Sequence, residues 1–146
     1  MYVMDASAII HAWDNYPINY EPFPALWDSM QNLIEQDLIV FSEANFKEIS
    51  YNSRDCYDWL KEVNPTIIRP SNDIARTLLS IKNNELGITE DNYHAKGVDE
   101  GDLFAIATAK SLGFVLVNNE AKQANDPQDK SKVCIGALTA LAMSNN

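Results

Sequence analysis

Positive charge is missing from the first third of this chain. No lysine or arginine occurs before Lys47, while eight acids (Asp5, Asp14, Glu21, Asp28, Glu35, Asp37, Glu43 and Glu48) fall within the first 48 residues. Over the whole chain 21 acids face 11 bases, a net charge of −10. That balance argues against a general nucleic-acid binder, which neutralises phosphates with a basic face. Cysteine is almost as scarce. Cys56 and Cys134 form no metal-type spacing and no disulfide framework, which suits core thiols in a reduced, cytoplasmic protein. His11 and His94 are the only histidines, so little imidazole is on hand for metal ligation or acid–base work. No apolar run approaches the roughly 20 residues that span a bilayer, and the N-terminus lacks a basic start and long apolar stretch, so neither membrane nor export is expected. Repeats, low-complexity tracts and Gly/Ser linkers are absent too.

What is present is a globular composition, 46% hydrophobic over 146 residues, read as a single domain spanning 1–146. Short apolar runs alternate with segments of helical period, which predicts a three-layer α/β/α fold with a central parallel sheet. Tyr2-Val3-Met4 is the first strand, followed by a helix from Ala6 to about Trp13. Residues 17–24 read as irregular, with three prolines, and Pro24 can open the next helix. There Phe23, Leu26, Trp27, Met30, Leu33 and Ile34 recur at helical spacing and predict one buried face. Leu38–Phe41 is the second strand, and Ser42 caps a helix to about Ser50. Ser53 caps another, with Cys56, Trp59, Leu60 and Val63 on one face, stopped at Asn64-Pro65. Thr66–Arg69 is a short strand, and Ser71 caps a helix to about Glu85. The small-residue helix after Asp102 ends at Gly113, and Phe114–Val117 is a buried strand. Lys132–Ile135 and 136–143 read as a final strand and helix.

Acids follow these strands in a pattern. Asp5 follows the first, Glu48 lies on the helix after the second, Asp99 and Asp102 open the small-residue helix, and Glu120 follows Phe114–Val117. With parallel strands all of them fall near one end of the sheet, where open α/β sheets place their crevice. Carboxylates crowded together need a cation or raised pKa values. Oxygen ligands without His or Cys suit a hard ion such as Mg²⁺ or Mn²⁺. Such an ion can activate water, and a pair about 3.5–4 Å apart can clamp the attacking and leaving oxygens of a phosphodiester. Taken singly, each acid has a plain structural role. Asp5, Asp99 or Asp102 can cap a helix, Glu48 can be an exposed helix acid, and Glu120 one more loop acid. Their joint placement favours the metal.

At these residues the chain resembles the PIN-domain nucleases. Val3-Met4-Asp5-Ala6-Ser7-Ala8-Ile9-Ile10 is similar to the family's opening motif, Asp102-Leu103-Phe104-Ala105-Ile106-Ala107-Thr108-Ala109 to its third-acid helix, and Val115-Leu116-Val117-Asn118-Asn119-Glu120 to its last motif. The resemblance covers essentially the whole length. It implies an endoribonuclease that uses Mg²⁺ or Mn²⁺, often a VapC-like toxin that forms a homodimer and is held by a cognate antitoxin protein. It also implies that Asp5, Glu48, Asp102 and Glu120 are the catalytic and metal-holding acids. Glu43 is the fallback for Glu48, and Asp99 can share the role of Asp102. Ser7 supports Asp5. Asn118 stands where many members carry Thr. Hydrolysis then needs no protein nucleophile, because water activated by the ion attacks phosphorus.

Two other readings stand beside it. One is a catalytically weak or inactive PIN-like binding module, its metal site impaired at Asn118 and Glu120, that docks a basic protein partner on the acidic surface. The other is a phosphatase with an aspartyl nucleophile, which usually wants Asp-x-Asp after its first strand. Ala6-Ser7 after Asp5 counts against it. A histidine-based acid–base site at His11 is weighed against a surface or satisfied residue, and the latter accounts for it more simply. His94 is a candidate RNA contact, and Lys96, Lys122, Lys130 and Lys132 are candidates to line a phosphate path, although solvated loops account for them more simply.

Overall fold

In the computed structural model, residues 1–87 and 99–119 are described. Four strands, β1 (Tyr2–Met4), β2 (Ile39–Ser42), β3 (Ile67–Ile68) and β4 (Val115–Val117), form one parallel sheet in the order β3-β2-β1-β4. Tyr2 pairs with both Ile39 and Val115, so β1 is central. The connections carry α1 (Ala6–Asn15), α2 (Phe23–Glu35), α3 (Glu43–Asn52), α4 (Arg54–Val63), α5 (Asn72–Ser80) and α6 (Glu100–Leu112). The fold is α/β, a parallel sheet with helices on both faces. None of the described helices is long and apolar enough to cross a membrane.

The period of two along each strand builds the layers. Met4, Ile39 and Phe41 point to one face and pack with Ile9, Trp27, Ile34, Ile49, Cys56 and Leu60 from α1 to α4. Val3 and Val40 point to the other face, against Ala109 of α6. Beyond them Ile74 and Leu78 of α5 meet Leu103, Ile106 and Ala107 of α6. Right-handed crossovers give this division, because the chain steps β1→β2→β3 one way and returns past β1 to β4. α6 is apolar nearly all round. Ala105, Ala107 and Ala109 are fully buried, and their small side chains let the helix lie close to the sheet.

The local signals have physical counterparts. Ser42 accepts a hydrogen bond from the Asn45 N–H at 3.2 Å, and Ser71 from the Ile74 N–H at 3.2 Å. Ser53 precedes α4 but makes no side-chain cap. Asn64 turns left-handed (φ 61°) to end α4, and Gly113 does the same (φ 70°) after α6. The α5 helix stops at Ser80, and a π-helical turn at Ile81–Glu85 completes the stretch expected as one helix. Two expectations need correction. Leu26 and Leu33 are about 40% exposed, because the inward stripe of α2 is Phe23, Trp27, Met30 and Ile34, and the two leucines lie on its flank. β4 is not fully buried. Val115 is 57% exposed, since β4 lies at one edge of the described sheet. All three tryptophans meet: Trp27 stands edge-on to Trp13 at 5.2 Å and to Trp59 at 5.0 Å. They are core, as the aromatic stripe suggests. The expected strand at 132–135 and helix at 136–143 lie outside the described residues.

Candidate functional site

The strand order reverses at β1. Its carboxyl end, between β2 and β4, is the position where open α/β sheets leave a crevice, because the connections on either side leave toward opposite faces. Asp5 is the first residue past that end. Its backbone N–H donates to the Val117 carbonyl at 2.8 Å, tying it to β4. Its carboxylate caps α1, accepting from the Ser7 N–H at 3.2 Å and from the Ser7 hydroxyl. The same hydroxyl accepts from the Asn119 N–H at 3.3 Å. Ser7 thus orients Asp5 and fastens it to the segment after β4, where Asn118 lies half-buried. Asp5 is both cap and buried acid, at 2% exposure. Burial pushes its pKa up, the Ser7 hydrogen bonds oppose that, and the charge of Asp99 adds to the rise.

The second acid arrives on α3. Ser42, at the end of β2, starts the helix, and Asn45 one turn on is fully buried. With its amide turned to pair donors with acceptors, its nitrogen donates to Asp5 Oδ1 and to Glu48 Oε2, both at 3.2 Å, and its oxygen accepts from the Ser42 hydroxyl at 3.2 Å. Asn45 therefore joins Asp5 and Glu48 through its two hydrogens. Glu48 is half-buried and its pKa is pushed up to about 7, first by burial, then by the charges of Asp99 and Asp5. Glu43 is elsewhere. It makes an exposed ion pair with Arg69 at 3.4 Å.

The third contribution is the start of α6. Asp99 and Asp102 form a reciprocal cap: the Asp102 N–H donates to Asp99 Oδ1 at 2.8 Å, and the Asp99 N–H to Asp102 Oδ2 at 3.1 Å. Asp99, the outer member, raises the pKa of both Asp5 and Glu48, so the three share one electrostatic neighbourhood. Gly101 keeps the first turn of α6 clear beside the Asp99 carboxylate. A Cβ there would lie 3.3 Å from Asp99 Oδ1 and 3.5 Å from Glu48 Oε2.

Asp5, Glu48 and the Asp99–Asp102 cap thus stand at one end of the sheet. Glu120 lies outside the described residues, as do His94, Lys96, Lys122, Lys130 and Lys132. His11 is exposed on α1, with Asn15 Nδ2 3.3 Å from its Nδ1, and takes no part. Among the described residues no three acidic, histidine or cysteine side chains are grouped closely enough to hold an ion between them. Asp5, Glu48 and Asp99 are carboxylates in mutual repulsion, and oxygen donors without His or Cys are the kind that a hard divalent cation takes.

Sequence reasoning missed the other wall. Ala44, Lys47, Glu48, Tyr51 and Asn52 form one stripe of α3, at helical spacing, and face the beginning of α6 across a cavity of about 350 Å³. The helical period was legible, but the stripe is polar, and nothing in the sequence says that a polar stripe faces a cleft rather than open water. Asn45 was missed for a different reason: a buried amide between two acids is visible only once both acids are placed.

A protein-family profile matches residues 2–139, and the description of that family is a domain of unknown function (DUF4411). No curated protein matches the chain.

Proposed function

This chain belongs to the family described as a domain of unknown function (DUF4411), and from its site we propose that it is a PIN-like, divalent-metal-dependent endoribonuclease. The observation that carries the reading is the Asp5–Asn45–Glu48 bridge at the strand-order reversal. Two acids are held together there at the expense of raised pKa values, with Asp99 adding to the repulsion. Groups shifted in that way, in a crevice, are candidates for function. When bound, Mg²⁺ or Mn²⁺ supplies water activation and offsets the charge of the phosphodiester. The chain's own part is positioning. Ser7 and the Asn119 N–H fix Asp5, Asn45 fixes Glu48 against it, and the α6 cap holds Asp99 and Asp102. Asp5, Glu48, Asp102 and Glu120 are the proposed catalytic set. Within this reading the protein is a cytoplasmic, homodimeric toxin. A basic side chain of a cognate antitoxin enters the same acidic crevice and takes the place of the cation.

The test is cleavage of single-stranded RNA with Mn²⁺ or Mg²⁺. Asp5→Asn and Asp102→Asn are expected to lower the rate by roughly 10²-fold or more, with unchanged circular dichroism. Wild-type rates in both variants would overturn the site. The loose grouping of the described acids favours one second reading, a catalytically inactive module that docks a basic protein. Calorimetry separates the two, since a Mn²⁺ titration without heat, together with no RNA cleavage, selects the docking module.

A further inference from the structure

The cavity between α3 and α6 is walled on one side by Glu48 and Asp99 and extends away from Asp5 along α3 to Tyr51 and Asn52. Its volume of about 350 Å³ falls within the roughly 300–1,000 Å³ of small-ligand sites. Its lining is mixed. Tyr51 stands at the rim with 77% of its surface exposed, so its ring face is open to a ligand. Phe104 is half-buried on the opposite wall. Lys47 is the one cation of the lining and makes no ion pair among the described residues, whereas Arg54, Arg69 and Arg76 each pair with an acid. Asn52 follows Tyr51 and adds an amide, with both donor and acceptor.

We propose that this cleft is a nucleotide subsite in which one base of single-stranded RNA stacks on Tyr51 beside Phe104, Asn52 meets the base edge, and Lys47 holds the adjoining phosphate at the rim. The charge pattern decides which part of a nucleotide enters. Glu48, Asp99 and Glu100 all line the cavity against the single ammonium of Lys47, so a phosphate would be repelled from its depth and an uncharged base would not. Unpaired bases bind proteins in this way, on aromatic faces and through amide contacts, without a broad basic surface. An acidic protein can thus hold RNA by stacking, with its positive charge limited to one point. The proposal rests on the nuclease reading for the choice of RNA, but its test does not.

The experiment measures binding of a fluorescein-labelled single-stranded RNA hexamer by anisotropy, in EDTA so that no cation supports cleavage, and again with Mg²⁺. Tyr51→Ala is expected to weaken binding roughly 5- to 150-fold, Tyr51→Phe to retain it, and Lys47→Ala to weaken it and flatten its salt dependence. Tyr51 is exposed, so its loss leaves the core intact, and circular dichroism checks this. Wild-type affinity in both alanine variants, or no binding of RNA by the wild type in either buffer, would overturn the subsite. So would a basic peptide bound in the cleft where RNA is not. Binding that depends on Tyr51 without any cleavage would leave the subsite standing and remove the nuclease. Cleavage that is indifferent to Tyr51 and Lys47 would do the reverse.

Discussion

At the scale of single residues, Glu48 carries the clearest consequence. Its folded pKa is raised from 4.5 to about 7, so the native state keeps a proton that the unfolded chain gives up earlier. The stability this group lends is complete below about pH 4.5 and is lost as pH rises through 7. Asp5 is raised as well and acts in the same direction. In EDTA, thermal unfolding is expected to shift to lower temperature between about pH 5 and 8, and Glu48→Gln to flatten that slope. An unchanged slope in the variant would assign the dependence elsewhere. Asn45 explains why the pair tolerates this crowding at all. Its two amide hydrogens lie between the carboxylates, each satisfying an oxygen that burial has taken from water. Cys56, by contrast, is a core thiol. Burial pushes its pKa up to about 12, which leaves it inert.

At the scale of elements, α6 has two duties that compete. Asp99 and Asp102 cap its first turn, which stabilises the helix, and the charge of Asp99 also acts on Asp5 and Glu48, which opposes folding. Asp99→Asn separates these effects, because Asn caps about as well as Asp but carries no charge. The variant is expected to lower the pKa of Glu48, followed by carboxyl chemical shift, and to gain stability at pH 8 of up to about 1 kcal/mol in urea unfolding. Loss of stability at that pH would mean that capping outweighs repulsion. The α6 cap also shows where sequence and structure agree for different reasons. Asp99 and Asp102 were legible as helix-start acids and as metal candidates alike. The folded chain gives them the first role outright and places them beside the other acids, so one role does not exclude the other.

At the scale of the whole molecule, the site exists because the strand order turns back at β1. Three connections of quite different length deliver Asp5, then Asn45 with Glu48, and then Asp99 to one end of the sheet, and no local segment contains more than two of them. A ligand that bridges these elements therefore stabilises the entire fold. Mn²⁺ at about 100 times its dissociation constant is expected to add about 2.7 kcal/mol to unfolding. The gain should shrink as pH falls below 7, because protons then compete for Glu48. Scanning calorimetry with Mn²⁺ and with EDTA reads this directly, and equal transitions in the two would remove Asp5 and Glu48 as metal holders. Ser7→Ala, which loosens Asp5 from the Asn119 N–H, is expected to weaken that metal affinity roughly 10- to 100-fold.

The sequence by itself determined the layers, the parallel sheet and the site's first acid. Those follow from short-range rules: period two in Val3-Met4 and Ile39–Phe41, helical period in Cys56, Trp59, Leu60 and Val63, and side-chain caps at Ser42 and Ser71. It left Glu43 and Glu48 as alternatives, and it could not find Asn45, or the cleft walled by Lys47, Tyr51 and Asn52. Those depend on how α3 is rotated against α6, and that angle is set by long-range packing. Ile49 is drawn into the core and Asn45 is buried between the acids, so Glu48 turns toward Asp5 while Glu43 is left to Arg69. Local patterning fixes which face of a helix is apolar. Only tertiary structure decides what its polar face meets, because charge–charge and amide–carboxylate contacts act across segments that are far apart in the sequence.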